Sequence, residues 1–341
     1  MQRCLPLCLA SLLVESSVLG QTPPARELNH AQIDEAAANA HSLFLDRTGR
    51  VSAIDTFVKL VRIKGPSGKE NAVADELKRL LVPTGAATVP LHSADAAPHN
   101  LVMELPASTA LASRPAILLN AHIDTIDRST PELLAFDPAT RDFFHPDEAD
   151  RTKVSSFGGD DRSSVAAMVE AIRILHTKYW SRGVVHRRII LVFTAEEERG
   201  CVGAKYLTQH EPQLFEGLEL SLSMDGPLDL KSKYPEDSFV AVSAESDRSK
   251  EPYQRVLALM GAFCERTRTH FGQTELGLGL GDFASFPPGA HAGLHLRSPV
   301  RGWHTRERVN LQDQLNHVDL LCYLVLGWDD QIPPDILEKK P

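Results

Sequence analysis

Apolar positions along the chain recur at two spacings, one helical and one suited to strands. Residues 30–47 read as a polar helix, and Val51, Ile54, Phe57, Val58 and Val61 follow at the three-to-four spacing of an amphipathic one. The stretch "GPSGKE" interrupts the pattern, with Ser67 and Glu70 at capping-box spacing for a helix that runs to Leu81. Short apolar runs at "NLVMEL", "AILLNA", "RRIILVF", "LELSLSM", "FVAVSA" and "AGLHL" have the length of strands. Among them lie a helix with Val165, Met168, Val169, Ile172 and Leu175 on one face, a short "VGAKYL" helix, a helix through Val256, Met260 and Phe263, and a closing helix carrying Leu311, Leu315, Val318 and Leu321. Helices alternating with short apolar strands predict an α/β fold, a three-layer sandwich around a central, mostly parallel mixed sheet. Residues 126–157, acid-rich and punctuated by Pro131, Pro138 and Pro146, show little periodicity and predict a long loop with a role of its own.

Composition narrows the class. With 341 residues, 43% hydrophobic and 24% charged, the chain can bury a large core, and residues 27–335 are expected to form one domain. A formal net charge of −9 supplies no basic stripe for nucleic acid. The first 20 residues, with Arg3 ahead of a mostly apolar segment and small residues before a proline pair, predict a signal peptide and hence a secreted or periplasmic protein. No later segment approaches 18 uninterrupted apolar residues, so no membrane span is expected. If Cys4 and Cys8 leave with the signal, the remaining Cys201, Cys264 and Cys322, odd in number and scattered, fit neither a disulfide framework nor a zinc knot.

The chemistry gathers at strand exits, where open α/β sheets bind their ligands. His122 and Asp124 follow "AILLNA", Glu196, Glu197 and Glu198 follow "RRIILVF", and Asp225 follows "LELSLSM". Asp160 and Asp161 stand in a Gly-Gly turn before a helix, and His304 sits in "RGWHTRE". His122 and Asp124 are two apart, so on an extended strand they share a face, one placed to ligate a metal and the other to orient it. Three adjacent glutamates raise one another's pKa unless a cation intervenes. Histidine and carboxylate donors suit zinc or a similar divalent ion. One glutamate can then ligate while another serves as general base, though strand geometry alone does not say which.

In these motifs the sequence resembles the di-zinc exopeptidases, a clan that includes peptidase T, carboxypeptidase G and the bacterial zinc aminopeptidases. "LLNAHIDT", "FGGDDRSS", "FTAEEERGCVGA", "SMDG" and "WHTRE" are similar to five of the clan's segments in order, from about Val51 to Leu326. The resemblance implies His122, Glu198, Asp225 and His304 as metal ligands, Asp160 as a bridge between two zinc ions, Asp124 as the orienting acid and Glu197 as general base. The glutamate assignment comes from the clan's fixed distance to Gly200, Gly203 and Ala204. It implies a zinc-exopeptidase fold and an aminopeptidase acting on peptides. A deacylase of small N-acyl amides, a carboxypeptidase or dipeptidase, and a metal-free binding domain are the rivals. Only 79 positions separate Asp225 from His304, where peptidase T and carboxypeptidase G carry a lid domain, so neither a lid nor a lid-mediated dimer is expected. Trp303 stands where the zinc aminopeptidases often place a tyrosine, and Asp282, in a Gly-rich segment, is a candidate pocket-lining acid for substrate binding. Glu307 lies one place nearer His304 than the acid of most relatives.

Overall fold

The computed structural model describes residues 28–91, 98–146, 156–225, 239–243, 251–269, 271–275, 281–287, 292–296, 300–301 and 307–338. The signal-peptide expectation for residues 1–20, and His304 and Trp303, lie outside the described residues.

Eight strands form the main sheet. In chain order they are β1 (Ala87–Thr88), β2 (Leu101–Leu105), β3 (Ala116–His122), then, after the short strands β4 (Ala135–Asp137) and β5 (Asp142–Phe144), β6 (Ile189–Thr194), β7 (Leu218–Met224), β8 (Phe239–Ser243), β9 (Phe271–Glu275) and β10 (Ala292–Leu296). Their spatial order is β1-β2-β6-β3-β7-β10-β8-β9. The inner strands β6, β3, β7 and β10 run parallel, as do β8 and β9, while β1, β2 and the β10–β8 pair supply antiparallel neighbours. This is the mixed, mostly parallel sheet that the pattern predicts.

The helices are α1 (His30–Ala38), α2 (Arg47–Arg62), α3 (Asn71–Leu81), α4 (Gly159–Ile174), α5 (Val202–His210), α6 (Glu251–Thr267), α7 (Leu311–Trp328) and the short α8 (Pro334–Glu338). Alternate residues of each inner strand face opposite layers. Ile117, Leu119 and Ala121 of β3 and Ile189, Leu191 and Phe193 of β6 belong to the large core shared with α1–α4, α6 and α7. Leu118, Ile190 and Val192 join a smaller cluster with Ala204 and Leu207 of α5. Both faces are therefore covered, which accounts for near-continuous apolar runs in place of alternation.

Three local expectations change. The helix read over 30–47 ends at Ala38, where Asn39 closes it, and Asp46 caps a separate α2 through the Gly49 amide at 2.8 Å. The stretch 126–157 is not wholly a loop. It contains β4 and β5, which pair with each other, and β5 joins them to β12 (Arg308–Asn310) and so to β11 (Val300–Arg301) in a second sheet of order β11-β12-β5-β4. The capping box at Ser67 and Glu70 does not form: α3 starts without a side-chain cap, and both residues spend their hydrogen bonds elsewhere.

Gly203, early in α5, sits where a Cβ would lie 2.3 Å from both the Ala195 carbonyl oxygen and the Asn100 Oδ1. Asn100 bonds the Ala195 amide and the Gly203 carbonyl, clamping α5 to the exit of β6. Gly203→Ala is expected to lower unfolding stability by about 2–3 kcal/mol, measured as a shift in the urea midpoint, because backbone rather than a flexible side chain must move.

Candidate active site

Parallel pairing in the order β6-β3-β7 brings three strand exits side by side. His122 is in register with Thr194, and Asn120 with Ser223, so two further steps set Asp225 level with His122. The spacing seen in the sequence thereby becomes a cluster.

His122 is its centre. Its Nδ1 lies 3.2 Å from Asp124 Oδ1, and its Nε2 lies 3.6 Å from Oδ1 of both Asp160 and Asp225. The two longer distances exceed hydrogen-bond length but suit a shared ion: two donors about 2.1 Å from a tetrahedral centre stand roughly 3.4 Å apart. His122, Asp160 and Asp225 are all buried, and each offers a donor atom within 4.8 Å of the others; His122, Glu197 and Glu198 make a second such group. Burial alone would push the His122 imidazole down, but the carboxylates of Asp124, Asp160, Asp225 and Glu197 carry it well above its ordinary value.

Asp124 is a junction. Its Oδ2 accepts the Ser67 hydroxyl at 2.6 Å and the Glu198 amide at 3.1 Å, while Oδ1 accepts the Glu197 amide at 3.0 Å. Burial would raise its pKa, yet His122, Ser67 and these amides lower it, so it stays an anion facing Nδ1. The orienting role implied for Asp124 thus has its geometry.

Glu196 enters the turn in the left-handed region, with φ 54°, and Cys201 and Gly200 follow with φ 56° and 96°. These reversals turn Glu197 and Glu198 toward His122 and leave Glu196 pointing to Arg199, 3.3 Å away. Burial pushes the Glu197 carboxyl up to about 8 against the pull of His122, with repulsion from Asp225, Asp282 and Glu198 added. The Cys201 thiol donates to Glu197 Oε1 at 3.4 Å.

Asp160 opens α4 with non-helical backbone, φ −84° and ψ 111°, joined to Asp161 by a cis peptide. Neither Asp161 nor Ser163 caps this helix; the Ser163 hydroxyl donates back to the Gly159 carbonyl at 2.8 Å. Glu307 holds the turn from outside: its Oε2 accepts the amides of Phe157, Gly158 and Gly159 at 3.1, 3.1 and 2.9 Å. Its position directly before β12 explains the second sheet's place beside the site.

Asp282 lies buried, its Oδ2 accepting a hydrogen bond from the Thr194 hydroxyl. Burial pushes its carboxyl up to about 7. The sequence reads Ser67 and Glu70 only as a helix cap, and it carries no signal for Thr194 or for the amide contacts of Glu307.

A divalent-cation hydrolase site at the carboxyl end of a parallel sheet is the class that this fold and cluster define. Residues 100–320 match Peptidase family M28, and the chain belongs to that family. It is a metallopeptidase, as the resemblance implied. No curated protein matches the sequence. Among solved structures, the aminopeptidase PepT of Bacillus cereus is similar at 12% identity and TM-score 0.60, covering 82% of this chain and 98% of its own. A tripeptidase of Staphylococcus aureus is similar at 12% identity and TM-score 0.59, with 80% and 96% covered. The LapA aminopeptidase of Legionella pneumophila is similar at 17% identity and TM-score 0.57, with 98% and 81% covered.

Replacing Glu307 with Ala strips three buried amides of their acceptor. The expected loss is about 3 kcal/mol or more of unfolding free energy together with weaker zinc retention on dialysis, read by denaturant titration and metal analysis.

Proposed function

We propose that the chain is a two-metal aminopeptidase that hydrolyses the N-terminal peptide bond of short peptides. The observation that carries the reading is the pair of donor groups sharing His122, one with Asp160 and Asp225 and the other with Glu197 and Glu198. Buried acids this close are tolerable as anions only beside a cation, and their oxygen and nitrogen donors suit zinc. His122, Asp160, Asp225 and Glu198 would hold the ions together with His304.

Divalent ions bound there supply Lewis acidity, activating water and stabilising charge on the scissile carbonyl oxygen. Glu197 takes the proton of the attacking water and delivers it to the departing amine. Asp124 keeps the imidazole of His122 turned with Nε2 toward Asp160 and Asp225. Its hold on the Glu197 and Glu198 amides fixes the base and its neighbour in one frame.

Substrate class draws support from the similar solved structures, which are aminopeptidases and a tripeptidase. A single catalytic domain without a lid fits the way β8, β9 and β10, all following Asp225, enter the main sheet. Among the described residues no helix is long and apolar enough to cross a membrane. Export by the signal-like segment at 1–20 completes the reading and is checked by N-terminal sequencing of the secreted product.

Glu197→Gln is expected to cut kcat on an aminoacyl substrate by about a thousandfold or more while bound zinc stays near wild type. Asp160→Ala is expected to lose both metal and activity, and Glu196→Gln to cost less than about threefold. Turnover surviving Glu197→Gln sinks the base assignment. A panel of aminoacyl, acylamino and C-terminal peptide substrates, with cleavage confined to the last two, sinks the aminopeptidase reading.

A further inference from the structure

Behind the glutamate turn lies a group of buried charged residues that the mechanism above does not use. Glu70 is fully buried, and its Oε1 accepts two backbone amides, that of Gly68 at 2.6 Å and that of Glu196 at 3.3 Å. The next two amides along the chain, of Glu197 and Glu198, are the ones held by Asp124. Three consecutive N–H groups thus point at two buried carboxylates, a concave arrangement that left-handed backbone at Glu196 makes possible. Charge-assisted bonds of this kind are shorter and stronger than neutral ones.

The same short segment that carries Glu70 also carries Ser67, whose hydroxyl bonds Asp124. The loop is tied to β3's exit, with Pro66 bridged to Thr125 and the Thr125 amide donating to the Gly65 carbonyl at 3.1 Å. Behind it the Arg162 guanidinium is wholly buried and interacts with Asp124, Glu70 and Asp161. A Cβ at Gly65 would lie 2.6 Å from Arg162 Nη2, so the glycine is what lets loop and guanidinium close on one another. Burial brings the Arg162 pKa down to about 10, which leaves it charged at neutral pH as the cation balancing these acids.

We infer that Glu70, backed by Ser67, is a positioning residue: it holds the backbone of residues 196–198 so that Glu197 meets the reacting atoms. The inference rests on Glu197 being the base. The Glu70 carboxylate accepts backbone amides, and its effect on the glutamate turn passes through that of Glu196. Misplacing a base by a fraction of an ångström slows the chemical step while leaving substrate binding largely intact.

The test uses the zinc-loaded full chain with Glu70→Ala, Glu70→Gln, Ser67→Ala and Glu197→Gln. Glu70→Ala is expected to lower kcat by about tenfold to a hundredfold with KM within about twofold and zinc content unchanged. Glu70→Gln keeps an oxygen that can accept both amides, so it is expected to recover at least about a third of wild-type kcat. Amide exchange over residues 194–201, followed by mass spectrometry, is expected to quicken about tenfold in Glu70→Ala and to stay near wild type in Glu70→Gln. A folded Glu70→Ala with wild-type kcat, a loss matched by equal loss of zinc, or a glutamine variant no better than alanine overturns the inference. If Glu70→Ala does not fold, Ser67→Ala decides: about a threefold or larger fall in kcat with faster exchange supports the clamp, and wild-type values in both overturn it. Glu197→Gln keeps the two failures apart, because surviving turnover there discards the base, whereas unchanged exchange at residues 194–201 in Glu70→Ala discards the clamp.

Discussion

Repulsion among buried carboxylates around a single imidazole is the constraint from which the rest of the site follows. Asp160, Asp225 and Glu197 all act on His122, and Asp282 and Glu198 press on Glu197 from nearby. In a low-dielectric interior such a gathering is unstable without positive charge. Among the described residues the buried Arg162 guanidinium offsets part of this charge through Asp124, Glu70 and Asp161. A divalent cation would supply the further positive charge that such a gathering calls for. A site that demands a dication is thereby also one that polarises whatever oxygen completes the ion's coordination.

Much of this was legible in the sequence, for definable reasons. The inner strands are covered on both faces, so they read as short unbroken apolar runs, and the residue types at their ends stood out against them. His122, Glu197, Glu198 and Asp225 could be listed at strand exits, but their adjacency depends on the spatial order β6-β3-β7, which no local pattern encodes. Choosing among the three glutamates was likewise beyond strand geometry. Left-handed backbone at Glu196 ends the strand alternation, so the faces implied by counting in twos no longer apply.

What stayed hidden has a common cause. Ser67 and Glu70 carry the spacing of a helix cap, and the same short polar side chains serve equally well as partners for distant backbone. Whether a capping pair turns inward or outward is decided by the tertiary neighbours, here Asp124 and the Glu196 amide. The acid-rich stretch misled for a related reason. Strands of three residues, β4 and β5, leave too few positions for an alternation to show, and beyond pairing with each other they are completed by β12 alongside β5, some 165 residues further along the chain.

The strands beneath the site carry polar side chains where apolar ones would pack more simply. Ser223 donates to Asn120 at 2.6 Å, Asn120 to Thr194 at 3.2 Å, and Thr194 to Asp282, all buried and all on one face of β7, β3 and β6. Such a chain runs from Ser223 and Asn120, two residues before Asp225 and His122, to Thr194 level with His122, and so ties their relative height. An apolar core tolerates small slips between neighbouring strands, because dispersion contacts are many and individually weak. A hydrogen-bonded ladder does not, since each slip strands a buried donor or acceptor at a cost of about 1–3 kcal/mol. The ladder thus converts sheet register into ligand geometry. It holds the His122 and Asp225 donors at one spacing whether or not a cation is between them, which is the preorganisation that a metal centre of fixed coordination needs.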